Sequence, residues 1–286
     1  MISVKEQRGD RPLNFWYRCL IAVIGVPLII LIIHLGSWYF LLFAAVQAGL
    51  ATYEFYSLAG RKGIKPLVAL GVVLAALLPA ICFLALIKGR PFWLSSIGTL
   101  LIILVAASTT LSVREPEGAI SRMAVTVFGI LYIGGLLSYQ VLLRHDPLYS
   151  EREGFAWLFL AYLVTWSIDV GGYAVGSLFG RHKLCPAISP GKTVEGAVGG
   201  LIFSVGSSYA AGTCWLGIIT RGEALLFGII LAIAGPAGDL VESIFKRDAG
   251  VKDSSSLLPG HGGMLDRFDS LLFTVPAAVI FRYLFR

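Results

Sequence analysis

Charge is scarce in this sequence. Asp, Glu, Lys and Arg make up 14% of its 286 residues, against 57% hydrophobic residues. Soluble domains carry about 25% charged residues, so an ordinary water-soluble chain is excluded. Histidine and cysteine are also few, four of each, and Cys19, Cys82, Cys185 and Cys214 are far apart with no paired spacing. A disulfide framework and a cysteine-rich zinc site are therefore excluded. The cysteines read as small apolar filler. No internal repeat, low-complexity tract or polar linker interrupts the chain, so one membrane domain over 1–286 is the simplest organisation. The short alternating segments of a β-barrel are missing too.

What the sequence does have is long apolar runs. Many approach 20 residues, the length a helix needs to cross the hydrocarbon core of a bilayer. The fold class is all-α, a polytopic membrane bundle of about nine spans: 19–35, 38–58, 66–87, 92–112, 119–143, 155–179, 195–219, 223–245 and 268–285. The basic stretch before the first span (Lys5, Arg8, Arg11, Arg18) is followed by no small-residue cleavage site, so the first helix is expected to stay. Most of the 23 Lys and Arg fall on the side holding the N-terminus and the loops after spans two, four, six and eight. The positive-inside tendency makes that side cytoplasmic. Phe15, Trp16 and Tyr17 fit an interfacial belt. The basic groups suit lipid headgroups and phosphates, not nucleic acid.

Polar chemistry is concentrated in the second half. Residues 1–18 form a cytoplasmic arm, 19–143 read as scaffold helices, and 155–286 carry the polar groups. In the scaffold the exception is Glu54, near an interface or paired with a neighbour. In "SIDVGGYAVGSLFGRHKLCPAISPGKTVEG", Asp169 sits near the middle of span six, where a carboxylate needs a wet cavity or a cation. Gly172, Gly176 and Gly180 recur every fourth residue and read as a close helix-packing stripe. The loop that follows holds Arg181, His182, Lys183 and Lys192; a positive-inside loop accounts for Arg181 and Lys183. Its "GKT" is no P-loop, because the required earlier glycine is Pro186. Ser189, Lys192 and Thr193 precede a helix whose first amides suit a phosphate.

In "GPAGDLVESIFKR", Asp239, Glu242 and Ser243 share one helix face. Two carboxylates a turn apart repel unless a cation lies between them. Pro236 is expected to kink the helix just upstream. Glu242 and Lys246 could instead belong to a solvated helix end. In "KDSSSLLPGHGGMLDRFDSLL", Gly260, Gly262 and Gly263 allow unusual backbone angles and close approach. Asp266 and Asp269 stand one turn apart with Arg267 between them, at the mouth of the last span.

An oxygen-rich donor set (Asp169, Asp239, Glu242, Asp266, Asp269), with only His182 and His261 near it, favours a hard cation such as Mg²⁺ over zinc. Lys192, Lys246, Arg247, Lys252 and Arg267 lie on the same side. Metal-holding carboxylates ringed by Lys and Arg suit phosphoryl or nucleotidyl transfer. No serine sits on a nucleophile elbow, so Ser/His/Asp hydrolysis fits worse.

The stretch "SIFKRDAGVKDSSSLLPGHGGMLDRFD" (Ser243–Asp269) resembles the hallmark motif of the phosphatidate cytidylyltransferases, the CDP-diacylglycerol synthases. That pattern is S-x-apolar-K-R, four residues, K-D, then L-P-x-H-G-G-apolar-x-D-R-apolar-D, and every fixed position is met. Upstream, "D-x-G-x-Y", "GRHKL", "SPGKT-x-EG" and "GDLVES" are similar to the family as well. Ser177 stands where a basic residue is frequent and Val194 where tryptophan is frequent, which removes a phosphate contact at 177. The motifs cover Asp169 to Asp269, and the first five spans agree only in hydropathy and length.

The resemblance implies an all-helical enzyme of phospholipid biosynthesis that converts CTP and phosphatidic acid to CDP-diacylglycerol and pyrophosphate at the cytoplasmic face. It also implies a homodimer, Mg²⁺, and a second, monovalent cation such as K⁺. Asp239 and Asp266 become the leading metal ligands, with Asp169, Glu242 and Asp269 secondary. Asp239, Asp266, Lys252 and Arg267 become the catalytic set. Ser189, Lys192, Thr193, Lys246, Arg247, His261, Gly262 and Gly263 become substrate-binding. The compact length suggests a bacterial inner membrane. Two other readings are a CTP-dependent kinase of a lipid alcohol and a cation-coupled transporter. Transporters often carry paired broken helices in corresponding halves, and here the polar groups lie in one half.

Overall fold

The structure, a computed structural model, describes residues 11–88, 98, 100, 104, 105, 117–255 and 262–285, with side chains from residue 23 onward. Its helices are α1 (Arg11–Leu35), α2 (Ser37–Arg61), α3 (Val68–Ile87), α4 (Ala119–His145), α5 (Glu151–Phe179), α6 (Val194–Ser207), α7 (Arg221–Asp248), α8 (Leu265–Phe268) and α9 (Leu271–Phe285). The expected all-helical architecture is observed, with one addition. Lys183–Cys185 (β1) and Ser189–Thr193 (β2) form a small antiparallel hairpin in the loop after α5. The hairpin departs from the loop expected there, because two very short strands with Pro190 inside one carry little periodic signal.

Five of the described stretches are long and apolar enough to span a membrane: α3, α4, α5, α7 and Leu265–Phe285. The protein is thus an integral membrane protein. α1 contributes a shorter apolar stretch, Val23–Leu35. α2 is 25 residues long and carries Gln47 and Glu54. α6 runs for 14 residues and passes into a wider π-helical stretch, Ser208–Trp215. Most of the expected fourth span, 92–112, lies outside the described residues.

Local chemistry explains the sharp starts. At α5, Ser150 Oγ accepts the Glu153 amide (3.3 Å) while the Glu153 carboxylate accepts the Ser150 amide (3.0 Å). Thr220 and Glu223 repeat this reciprocal cap at α7. Within α4, Ile130–Gly135 widens to a π-turn, where Gly134 lies against the Ala75 backbone of α3.

Glycine sets the approach of α5 and α6. Gly172 and Gly176 face Gly196, and Gly171 faces Gly199, so a Cβ at Gly196 or Gly199 would press on an α5 carbonyl. The stripe therefore serves helix packing, as its spacing predicts. Interhelical polar contacts add to it. Tyr162 Oη donates to Gln140 (2.6 Å), whose amide donates in turn to Gln47, and Thr165 bonds Thr274 at 2.9 Å. One large apolar cluster runs from Ile33 and Phe40 through Trp157 and Phe227 to Phe281. Helices from both halves of the chain build it.

Candidate active site

Two polar centres meet on α7. The first is a cavity of about 510 Å³ between α5, the hairpin, α6 and α7. Asp169, Ser177, Ser189, Lys192, Thr193 and Asp239 supply its polar groups, and Ile168, Tyr173, Leu184, Ala197 and Pro236 its apolar wall. The second is a cluster in which Asp239, Glu242 and Asp269 each bring a carboxylate oxygen within 4.8 Å of the others. Asp239 belongs to both.

The hairpin is latched onto α7 at two points. Lys192 Nζ lies 2.7 Å from Asp239 Oδ2 and reaches the Pro236 carbonyl at 3.5 Å. Arg247 Nε donates to the Ile188 carbonyl (3.1 Å), and its Nη1 to the Val251 carbonyl (3.2 Å). Arg247 thus holds the hairpin turn against the end of α7. Thr193 caps α6, its hydroxyl accepting the Gly196 amide at 3.0 Å. One of the first amides of that helix is therefore already taken. His182 and the Arg181 amide engage Glu195 beside the same cap.

Along α7, Ser243 Oγ donates to Asp239 Oδ1 (3.2 Å). Lys246 Nζ bridges Glu242 Oε2 (3.0 Å) and Asp266 Oδ1 (2.7 Å). The solvated-end reading of Glu242 and Lys246 is overturned, since they are 1% and 9% exposed. Tertiary packing against α8 and α9 covers this face, which the helix alone would leave in water. Pro236 lies inside an α7 that continues to Asp248.

Asp266 is fully engaged. Its Oδ2 accepts the Ser254 amide (2.9 Å), the Ser254 hydroxyl (2.8 Å) and the Gly263 amide (2.7 Å). Gly262, at φ +80°, makes the turn that brings this loop onto Asp266. Asp269 is 9% exposed and directs its carboxylate to the cluster, while Arg267 between them is exposed. Lys252 is exposed as well, and His261 lies outside the described residues.

The donor chemistry fits a hard divalent cation. Three carboxylates this close repel one another without a cation between them. Buried Glu242 Oε1 receives no hydrogen bond, and an unpaired buried carboxylate oxygen is costly. All three groups offer oxygen, as Mg²⁺ prefers. Asp239, Glu242 and Asp269 are therefore the residues that could hold it. Asp266 adjoins them through Lys246.

Glu54 is the residue whose role the sequence left open. It is 2% exposed, and it pairs with the far end of the chain: Ser254, Ser255, Met264 and Leu265 all donate to it. A lone carboxylate in an apolar helix was the available signal. Its partners, some 200 residues away, were not legible.

With this geometry in view, comparison with known proteins is specific. The profile of the Cytidylyltransferase family matches residues 16–285. A phosphatidate cytidylyltransferase of Staphylococcus haemolyticus is 35% identical, covering 91% of this chain and 95% of the relative. One from Synechocystis is 34% identical, covering 92% and 95%. A third, from Staphylococcus saprophyticus, is 47% identical over 54% of this chain and 56% of its own.

Proposed function

The chain belongs to the cytidylyltransferase family, and from that premise we propose that it joins CTP to phosphatidic acid, giving CDP-diacylglycerol and pyrophosphate. The observation that carries the reading is the carboxylate cluster beside the Lys192 wall of the cavity. A phosphate monoester is largely ionised near neutral pH, with a second pKa of about 6. An oxygen of the phosphatidate head attacks the α-phosphorus of CTP. The bond from that phosphorus to the bridging oxygen of the β-phosphate breaks, and pyrophosphate leaves with the electron pair. No strong general base is required.

The difficulty is bringing two anions together. Lys192 faces the cavity and is the group suited to hold a CTP phosphate, its present partner Asp239 being shared with the cluster. Ser189 and Thr193 lie on the same wall. Lys246 fixes Glu242 and Asp266 in place. Exposed Lys252 and Arg267 complete the basic surround. The apolar wall, from Ile168 to Ala197, suits the glycerolipid end next to the bilayer. Mg²⁺, bound by Asp239, Glu242 and Asp269, would neutralise phosphate charge and align the reacting groups. Asp169, which also lines the cavity, is the carboxylate available to a monovalent cation such as K⁺.

The reading extends to about nine spans, a pair of identical subunits, and a bacterial inner membrane with the cavity open to the cytoplasm. The basic bias of the hairpin side supports that orientation. The test is to incubate purified protein in detergent with phosphatidate, Mg²⁺ and CTP labelled at either the α- or the γ-phosphate. Transfer of the α-label to lipid, with release of pyrophosphate, is expected. Transfer of the γ-label, with release of CDP, would overturn the reading in favour of a lipid kinase.

A further inference from the structure

We propose that Glu54 is a positioning residue: it clamps the segment that leaves α7 to the start of α8, the helix that carries Asp266, and so sets the distance between α8–α9 and the carboxylates of α7. Each of its oxygens receives two hydrogen bonds. Oε1 accepts from Ser255 Oγ (2.7 Å) and the Met264 amide (2.9 Å). Oε2 accepts from Ser254 Oγ (2.9 Å) and the Leu265 amide (2.7 Å). The hydroxyls come from the segment that leaves α7, and the amides from the start of α8, where helical N–H groups lack partners within the helix. One carboxylate from the second helix therefore joins two segments that flank residues 256–261.

The four donors satisfy the charge, so Glu54 is not a free metal ligand. Its effect passes through its partners. Ser254 Oγ stands between Glu54 Oε2 and Asp266 Oδ2, and Asp266 Oδ1 holds Lys246, which holds Glu242. Glu54 thus begins a continuous line of contacts that ends in the carboxylate cluster. The packing at its head is tight: a Cβ on Gly263 would overlap both Ser254 Oγ and the Glu54 carboxylate. Residue 263 therefore fits beside Ser254 and Glu54 only as glycine. Catalysis by alignment is sensitive to such placement, since a shift of about 1 Å costs around 10²-fold in rate.

The inference rests on the reading that the cluster binds a divalent cation. The test compares wild type, Glu54→Gln, Glu54→Asp and Ser255→Ala in detergent. It reads folded fraction, kcat per folded molecule, KM for CTP and the Mg²⁺ half-saturation. Glutamine places an amino group against two donors. Glu54→Gln is expected to lower kcat about 10²-fold and raise the Mg²⁺ half-saturation, with KM for CTP little changed. Glu54→Asp, which keeps the charge, is expected to recover part of kcat. Ser255→Ala removes the hydroxyl that donates to Glu54 Oε1, so a loss of about threefold to tenfold is expected. A merely structural role would lower the folded fraction and leave the other three readouts unchanged. Wild-type kcat and Mg²⁺ half-saturation in folded Glu54→Gln would overturn the proposal. Should that variant not fold, the same result in Ser255→Ala would overturn it. Wild-type turnover that persists in chelator would overturn the metal reading alone, and kcat of the variants would still decide the role of Glu54.

Discussion

The Lys246 ammonium lies 2.7 Å from Oδ1 of Asp266, twenty residues onward, and joins the last turn of α7 to the start of α8. The same group sits 3.0 Å from Glu242, one turn back. A single buried cation thus ties Glu242, a member of the cluster, to Asp266 beside it. Asp239 lacks such a cation within its own helix and meets Lys192 from the hairpin instead.

Lys246→Met should destabilise the protein by about 3–5 kcal/mol, because it leaves Glu242 buried without a charge partner. Thermal unfolding in detergent measures this. Adding Glu242→Gln should restore part of the loss, since the pair is then removed together. An unchanged melting temperature in Lys246→Met would show that the pair does not contribute.

Asp239→Asn should lower kcat about 10²–10³-fold, the scale of losing one transition-state electrostatic contact. It should also abolish the rise in melting temperature that Mg²⁺ alone gives the wild type, because a ligand stabilises the state that binds it. The thermal shift reads the metal site independently of turnover. A full Mg²⁺ shift in the variant would remove Asp239 from the ligand set.

Lys192→Ala should reduce kcat/KM for CTP roughly tenfold to hundredfold, the equivalent of one charged hydrogen bond of about 1.5–3 kcal/mol. Initial rates across CTP concentrations check it. Wild-type values would place the nucleotide phosphates elsewhere.

Gly263→Ala should cost at least tenfold in kcat, since the added methyl would displace Ser254 or Glu54. Gly206→Ala, in α6 with open space around its Cβ position, should keep wild-type activity and gain about 0.5–1 kcal/mol. The contrast between them separates a packing requirement from a general intolerance of change at glycine.

Much of this was readable in the sequence because its signals are local. Apolar runs marked the ends of α3, α4, α5 and α7 to within a few residues, since lipid thickness fixes helix length. The spacing of Asp239, Glu242 and Ser243 put them on one face, and Ser243 does bond Asp239. The fourfold glycine period announced the contact between α5 and α6. The hairpin was not legible, because its strands are too short to show alternation. Nor could spacing reveal that Glu242 is buried and Lys246 covered, since a helix face takes its environment from what packs on it.

By itself, the sequence determined that the chain is helical, lies in the membrane and carries its polar groups late, because periodicity and hydropathy act over neighbouring residues. The motif between Ser243 and Asp269 also settled the family. Only the tertiary structure decided which carboxylates share a site. It put Asp269 with Asp239 and Glu242, surrounded Asp266 with donors, and joined Glu54 to Ser254, Ser255, Met264 and Leu265. Those choices depend on contacts between segments up to about 200 residues apart. The electrostatics of a buried carboxylate depend on which donors reach it, and only the folded chain brings those donors together.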